Sequence, residues 1–519
     1  VQTGVIMTKP LSISTLPLLS DSVSKPNYDL EATGCGIVHI GPGAFHRAHQ
    51  AYYTEKALAY GGDWRIHGVS MRSASLKEAL STQDNLYALC IVDNEPETHI
   101  IGAIKTLSTL AHDREDIVAA LVNKQTKIVT LTVTEKGYCL NAQGHLDTDH
   151  PDIKADLVTP ETPVSAVGLI VQALAQRKQA GYADITIISC DNVSDNGKKL
   201  QKAVTEFANK TDESLGQWIS ENIAFPCTMV DSITPATEDS FKANVAAELG
   251  LTDNWPIQRE AFTQWVVEDN FSGPRPAWDK VGVTFTHDVS FFEKAKLRIL
   301  NGTHSTLAYI GLLLGKETVF DAMRTPAIKQ LIQTMLKEEI VPSLSSDNEN
   351  ADSGTQDFDL NAYAQDIVKR YENEHIRHLL SQIAWDGSQK IPFRILDTVR
   401  DNLKAKRNID LLCSAVAAWC LFVNNKARLN ETITDPLDSM LRATAKSVDF
   451  QAIELAKKLL SLETMFAELS VNTTFKEKVL EKVNQLLSIL SHENSNEGQQ
   501  GSAPTTLTES SLDSLKGTA

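Results

Sequence analysis

The feature that most limits what this chain can fold into is the run from Gly36 to about Leu58. Gly36-Ile37-Val38-His39-Ile40 is short and β-prone, it enters Gly41-Pro42-Gly43-Ala44-Phe45-His46-Arg47-Ala48-His49, and a helical pattern continues to about Leu58. Strand, glycine turn and helix in that order open a Rossmann-type, mostly parallel sheet. They also make a place for a pyrophosphate, because glycines admit it close to the backbone and free N–H groups at a helix start face it. Gly41, Gly43, Ala44 and Phe45 are therefore expected to bind a dinucleotide. The pattern departs from the usual fingerprint twice: His46 stands where a third glycine is common, and Pro42 has no N–H to donate. Arg47 suits a phosphate contact and, equally, a helix-surface salt bridge. His46 and His49 resemble a metal pair only superficially, since no third ligand is suggested nearby, and no metal is expected.

The second strand is predicted over Trp64–Ser70. Its end is where such a unit chooses its cofactor, an acidic residue binding the ribose hydroxyls and an arginine accommodating a 2′-phosphate. Met71-Arg72-Ser73-Ala74-Ser75 follows, with no carboxylate before Glu78. Arg72 thus joins the cofactor-binding set and leans the reading towards NADP or a relaxed choice, unless it is simply solvated. From Leu86 to Thr106 two alternating runs flank Asp93-Asn94-Glu95-Pro96-Glu97, the pattern of a β-hairpin. Three further apolar strands follow, before Glu135, before Asp191-Asn192 and before Asp231. At the carboxyl ends of a parallel sheet, Glu135, Asn192 and Asp231 would converge on one crevice, although each alone suits a turn or cap. Val164–Lys178 carries the periodicity of a crossover helix.

Beyond about residue 290 helical patterns dominate, at 303–315, 325–338, 360–384, 409–423 and, in pieces, 451–491. The expected organisation is an extension at 1–34 lying over the surface, a dinucleotide-binding domain at 35–287, a mainly α-helical domain at 288–491 that carries substrate and catalysis, and a disordered tail at 492–519. Asp347–Asp357 reads as an acidic loop. The 519 residues carry a net charge of -17, which argues against a nucleic-acid groove or an anionic membrane surface and leaves small molecules as partners. Seven scattered cysteines without a Cys-x-x-Cys point to a reducing compartment. The apolar run Leu411–Val423 is too short to span a bilayer, and a cytoplasmic protein is expected.

Lys296-Leu297-Arg298-Ile299-Leu300-Asn301-Gly302-Thr303-His304-Ser305 concentrates the chemistry. On one helix at about 100° per residue, Lys296, His304 and Asn301 fall at roughly 0°, 80° and 140° and border one cleft. A lysine in an apolar cleft loses affinity for its proton, so its amine can act as a general base. The Asn301 amide would donate to a developing alkoxide, and His304 would fix a neighbouring hydroxyl. The plain alternative is a helix with three solvated polar residues.

Several segments, in consistent order between about residues 35 and 425, resemble the mannitol dehydrogenase family, the polyol-specific long-chain dehydrogenases. They are Gly-Pro-Gly-Ala-Phe-His-Arg-Ala-His at 41–49, Leu-Thr-Val-Thr-Glu-Lys-Gly-Tyr at 131–138, Ser-Cys-Asp-Asn-Val at 189–193, Phe-Pro-Cys-Thr-Met-Val-Asp at 225–231 and Lys-x4-Asn-x2-His at 296–304. Residues 264–271, 275–282 and 386–390 look most similar to members that act on D-mannonate. The resemblance implies a Rossmann-type N-terminal domain, a mainly helical C-terminal domain, NAD as cofactor, no metal and a monomer. It implies Lys296 as general base, Asn192 and Asn301 on the substrate oxygen, and Glu293 in a proton relay to solvent. His304, Val230, Asp231 and Lys390 would line the substrate site. Gln382 stands where mannitol-oxidising relatives carry an arginine. Lys390, with Arg377 or Arg394, is left to meet a substrate carboxylate or to form a surface salt bridge. The implied reaction interconverts D-mannonate and D-fructuronate. A neutral polyol such as mannitol or arabinitol is the nearest rival, and a nucleotide-binding regulator without turnover is a second.

Overall fold

The computed structural model describes residues 9–93, 95–348 and 358–497. Its contacts divide the chain between Ser290 and Phe291 into two compact units. The first is built on a five-stranded, wholly parallel sheet in the order Ile104–Thr109, Arg65–Ser70, Cys35–Ile40, Ile128–Leu131, Thr186–Ser189. Four of these strands are buried almost end to end, as a sheet covered on both faces demands. The order reverses beside Cys35–Ile40, so the crevice beyond the carboxyl ends of that strand and Ile128–Leu131 is the ligand position of this topology. The crossover helix Ala166–Ala180 begins where the Ser165 side chain accepts from the Gly168 N–H and ends at Gly181. Val129 and Ile187 share one core with its Leu169, Ile170 and Leu174.

Three expectations change. Thr228–Asp231 does not join the parallel sheet; it pairs antiparallel with Gln264–Glu268, which pairs in parallel with Thr284–Thr286. The hairpin closes as Tyr87–Val92 with Glu97–Ile101, but the second run then breaks, and Ile104–Thr109 crosses into the main sheet. Gly102 allows the break: a Cβ there would stand 2.6 Å from Leu30 Cδ2, and the Arg65 Nε–H donates to its carbonyl at 2.9 Å. The described part of the N-terminal stretch is core rather than cover. Lys9–Pro10 pairs with Leu251–Thr252, and Leu11, Leu19, Val23 and Leu30 are buried with Leu86, Ile100 and Leu249. The first eight residues lie outside the described residues.

Beside Gly102, the carboxyl end of Glu55 is enclosed and accepts from the Tyr28 hydroxyl at 2.9 Å and the Gly102 N–H at 2.7 Å. Burial pushes its pKa up to about 7. The unfolded chain releases this proton near the ordinary value of 4.5, the folded chain near 7, so stability falls as pH rises across that window and stays lower above it. Glu55→Gln, which keeps an acceptor for Gly102, is expected to gain on the order of 2 kcal/mol over the wild type at pH 8 and little at pH 4.5. Thermal melts of both proteins across that range check this; a difference that does not change with pH refutes it.

The elements of the second unit, among its described residues, are helices, with one isolated β-bridge. Asp410–Arg428 is its central helix, with Leu411 to Val423 buried residue after residue. Two expected boundaries shift. The pattern at 360–384 is two helices, Leu360–Tyr371 and Leu380–Ile383, because the polar run from Glu372 to Arg377 leaves the helix and returns as a bridge between Thr318 and Leu379. The last helix, Thr473–Glu497, runs past residue 491 into the expected tail, since no breaker occurs before Gly498. The rest of that tail, and residues 349–357 of the acidic loop, lie outside the described residues. Among the described residues no helix is long and apolar enough to cross a membrane.

Candidate active-site residues

In the first unit the glycine turn forms as its sequence requires. Gly41 takes φ 92°, and a Cβ on it would stand 2.3 Å from the Thr132 carbonyl oxygen. The Thr132 hydroxyl donates to the Gly41 carbonyl at 2.7 Å, tying the turn to the neighbouring strand. Gly43 differs: a Cβ there would find only the Gly41 oxygen, at 3.8 Å, because the position opens on a cavity of about 690 Å³. Gly41, Gly43 and Ala44 line this cavity together with Arg72, Thr134 and Ser165. A cavity with bare backbone at its glycine end and Arg72, Thr134 and Ser165 on its wall fits a dinucleotide.

The two departures from the fingerprint have a physical resolution. The third glycine ordinarily lets helix and strand pack closely. Here the His46 ring lies flat on His39 of the strand, with centroids 3.3 Å apart and planes at 15°. His39 shares hydrogen bonds with Thr130 and Thr132, and burial pulls its pKa down to about 3. The helix beyond is short, Ala44–Ala48, and restarts as Gln50–Leu58 after a break at His49, so the single helix expected here is two. Phe45 stacks on His49 at 4.9 Å.

Arg47 is not at a surface. It is 2% exposed, its guanidinium lies near the Tyr87 and Trp255 rings, and it donates to the Trp255 carbonyl at 2.8 Å. Burial lowers its pKa to about 10 despite the nearby Asp253 carboxylate. It packs against Trp255 instead of forming a surface salt bridge, and together with Trp255 it lines the cavity at Gly41 and Gly43. Glu135 is exposed, while its neighbours Thr134, Lys136 and Gly137 line the cavity. Arg72 is exposed and lines it too.

Asn192 is exposed just beyond the Thr186–Ser189 strand, and Val230 and Asp231, 3% and 5% exposed, end the Thr228–Asp231 strand. Asn196, which the sequence reading passed over, holds the two segments together. Its amide donates to the Asp191 carbonyl at 3.0 Å and the Thr228 carbonyl at 2.9 Å, and its oxygen accepts from the Thr228 N–H at 2.9 Å. Asp191 was also missed. Its carboxylate accepts from the Thr134 N–H at 2.8 Å, the Val133 N–H at 3.2 Å and the Tyr138 hydroxyl at 2.7 Å. Those bonds hold Thr134 at φ 68°, ψ 163°, backbone almost reserved for glycine, on the cavity wall. The signal for Asp191 was a short polar side chain just after a buried strand, and for Asn196 a carboxamide at the start of the helix Asn196–Thr211.

In the second unit the candidate decad is helical, but not with one period. Ser290–Ala295 is α-helical, Lys296–Gly302 is π-helical, and Thr303–Leu313 is α-helical again. A π turn closes i to i+5 and recurs at functional sites. Its wider turn brings Lys296 and Asn301, five residues apart, towards one side of the axis, which replaces the 140° separation expected of an α-helix. The turn is held from outside. The Tyr371 hydroxyl donates to the Leu300 carbonyl at 2.8 Å and shares a bond of 2.7 Å with the Thr303 hydroxyl. Gly302 faces a second π-helical segment, Pro392–Leu396, where a Cβ would stand 2.8 Å from the Arg394 carbonyl oxygen.

Lys296 is 7% exposed and His304 6%, whereas Asn301 and Glu293 are half-buried. The His304 ring packs against Tyr371 at 4.6 Å and His378 at 5.0 Å. Burial first, then His378, Arg370 and Arg394, hold its pKa well below the usual range, so the imidazole is neutral. Among the described residues its buried Nε2 has no hydrogen-bond partner. Arg394 donates to the Ser305 hydroxyl at 3.3 Å, while its Nε is buried and unpartnered. Burial, then the Arg394 charge, lowers the Lys390 pKa. Arg377 instead forms an exposed ion pair with Glu317 at 2.5 Å, and Gln382 is exposed. Among the described residues no three histidine, cysteine or acidic side chains come together as metal ligands.

Comparison with known proteins places this geometry. Residues 35–280 match the mannitol dehydrogenase Rossmann domain, and residues 288–487 match the mannitol dehydrogenase C-terminal domain. The chain belongs to the mannitol dehydrogenase family. It is 42% identical over 454 residues to the D-mannonate oxidoreductase of Escherichia coli (strain K12), covering 86% of this chain and 92% of that one. It is 39% identical over 411 residues to the mannitol 2-dehydrogenase of Cereibacter sphaeroides, covering 78% and 84%. Among solved structures it is similar to Pseudomonas fluorescens mannitol 2-dehydrogenase in ternary complex with NAD and D-mannitol, with a TM-score of 0.77 and 32% identity over 94% of this chain and 99% of that one. The resemblance seen in the motifs thus extends over both units, and the chain is an oxidoreductase of that family.

Proposed function

We propose that the protein interconverts D-mannonate and D-fructuronate with NAD, by way of a lysine general base. The observation that carries the reading is the π-helical turn with the buried Lys296 on it and, two residues past its end, a neutral His304 whose Nε2 has no hydrogen-bond partner among the described residues. NAD, when bound, would supply the acceptor for the hydride of the carbinol carbon. The Lys296 amine accepts the hydroxyl proton as the carbonyl forms, and Glu293 passes it towards solvent. The Asn301 amide N–H groups donate to the oxygen as it gains charge, and His304 Nε2 meets a neighbouring hydroxyl. Gly41, Gly43 and Ala44, which line the cavity of the first unit, would hold the dinucleotide. Asn192, Val230 and Asp231 are the first unit's own candidates for substrate contact.

A sugar acid is favoured over a neutral polyol by Lys390 and Arg394, two neighbouring cations, the second with an unpartnered buried nitrogen. A substrate carboxylate satisfies both. The identity to D-mannonate oxidoreductase supports the same choice. The expected result is a kcat/KM for D-mannonate at least 100-fold above that for D-mannitol, equivalent to about 2.7 kcal/mol. Initial rates of NADH formation on both substrates check it. Faster turnover of D-mannitol or D-arabinitol assigns the polyol reading instead, and activity lost on chelation refutes the lysine-based chemistry.

A further inference from the structure

We infer that this protein accepts the 2′-phosphate of NADP as well as the free ribose of NAD, and that Arg72 is the residue that admits it. The inference rests on the dinucleotide reading of the 690 Å³ cavity and adds the cofactor range of that site. The wall that follows the Arg65–Ser70 strand consists of Ser70, Met71, Arg72, Ser73 and Ser75, all lining the cavity. In this topology that wall reads the adenosine ribose, where a carboxylate binds the hydroxyls and repels a phosphate. None is present: the first carboxylate after the strand, Glu78, lies outside the lining.

The wall carries positive charge instead. Arg72 and, from the loop after Ile128–Leu131, Lys136 both line the cavity, and neither side chain is paired with a carboxylate among the described residues. The chain as a whole carries a net charge of -17, so two unpaired cations on one cavity wall stand out from their surroundings. Ser73 and Ser75 share a 2.7 Å hydrogen bond and place two hydroxyls beside Arg72. One carboxylate, Asp152, does share the lining, on the first turn of Pro151–Val158, next to His150. A planar guanidinium with free donors and adjacent hydroxyls is the chemistry that binds a phosphate monoester. Without the guanidinium, Asp152 would leave the cavity hostile to it.

The test is calorimetric binding of ADP-ribose and of 2′-phospho-ADP-ribose, two fragments that need no turnover, to the full chain and to Arg72→Ala. We expect the wild type to bind the 2′-phosphorylated fragment at least as tightly as ADP-ribose in low salt. The ratio of the two affinities should fall about tenfold in Arg72→Ala, and it should fall in the wild type on adding salt. An Asp152→Asn variant should raise the ratio. If ADP-ribose binds while its 2′-phosphate binds 30-fold more weakly, the inference is overturned and the dinucleotide reading stands. If neither fragment binds, both fall. A ratio unmoved by Arg72→Ala overturns the role of that residue.

Discussion

Replacing Lys296 with alanine is expected to lower kcat by about 100- to 10,000-fold, the range general-base removal costs, with a far smaller loss of cofactor affinity. Because Lys296 is buried, truncation also leaves a void, and a rate loss could then come from packing. Lys296→Met separates the two: it fills the volume without a basic nitrogen, so it should lose as much rate while melting closer to the wild type. A small primary amine added to the alanine variant should restore part of the rate, whereas it should do nothing for the methionine variant, whose side chain occupies the space. Steady-state rates, dinucleotide titrations and melting curves on the three proteins read this out. Turnover at the wild-type rate in both variants removes Lys296 from the chemistry.

The second large effect is expected at the glycine turn. Gly41→Ala forces a side chain into φ 92° with its Cβ 2.3 Å from the Thr132 carbonyl oxygen, so the turn must move away from the neighbouring strand. Backbone strain of this kind costs about 1–3 kcal/mol before the collision is counted, and the displaced backbone no longer faces the ligand. We expect dinucleotide affinity to drop at least 100-fold with a lowered melting temperature. Gly43→Ala makes the contrast, since its Cβ has room in the protein and opens on the cavity. It should leave the melting temperature in place and still weaken binding, by occupying ligand space. NADH fluorescence titration measures both; wild-type affinity in Gly41→Ala would show that the turn does not hold the cofactor.

The elements legible in the sequence were those whose signal is local. Cys35–Ile40, Arg65–Ser70, Ile128–Leu131 and Thr186–Ser189 are short apolar runs with polar ends, and the crossover helix Ala166–Ala180 carries its own cap and terminal glycine. Thr228–Asp231 shares that appearance, yet it belongs to another sheet, because an apolar run does not say which edge it will pair with. The sequence left Arg47 between a phosphate contact and a helix-surface salt bridge, and did not show its burial. Its actual partner, Trp255, lies 208 residues away in the chain.

The candidate site divides in the same manner. Residue types and spacing in Lys296, Asn301 and His304 were enough to pick them out as a set, as were Gly41 and Gly43 at the turn. The period that relates Lys296 to Asn301 was not readable, since a π turn depends on groups from elsewhere: the Tyr371 hydroxyl on the Leu300 carbonyl, 71 residues apart, and the Arg394 carbonyl against Gly302. The same holds for the neutrality of His304, which burial and three cationic or imidazole neighbours impose. For this protein the sequence by itself determined strands, turns, helices and the inventory of reactive groups, because steric and hydrogen-bonding preferences act over a few residues. Tertiary structure alone decided the helical period under the lysine, the burial of Arg47 and the protonation of the histidine, because those follow from which distant atoms exclude water and supply the missing hydrogen bonds.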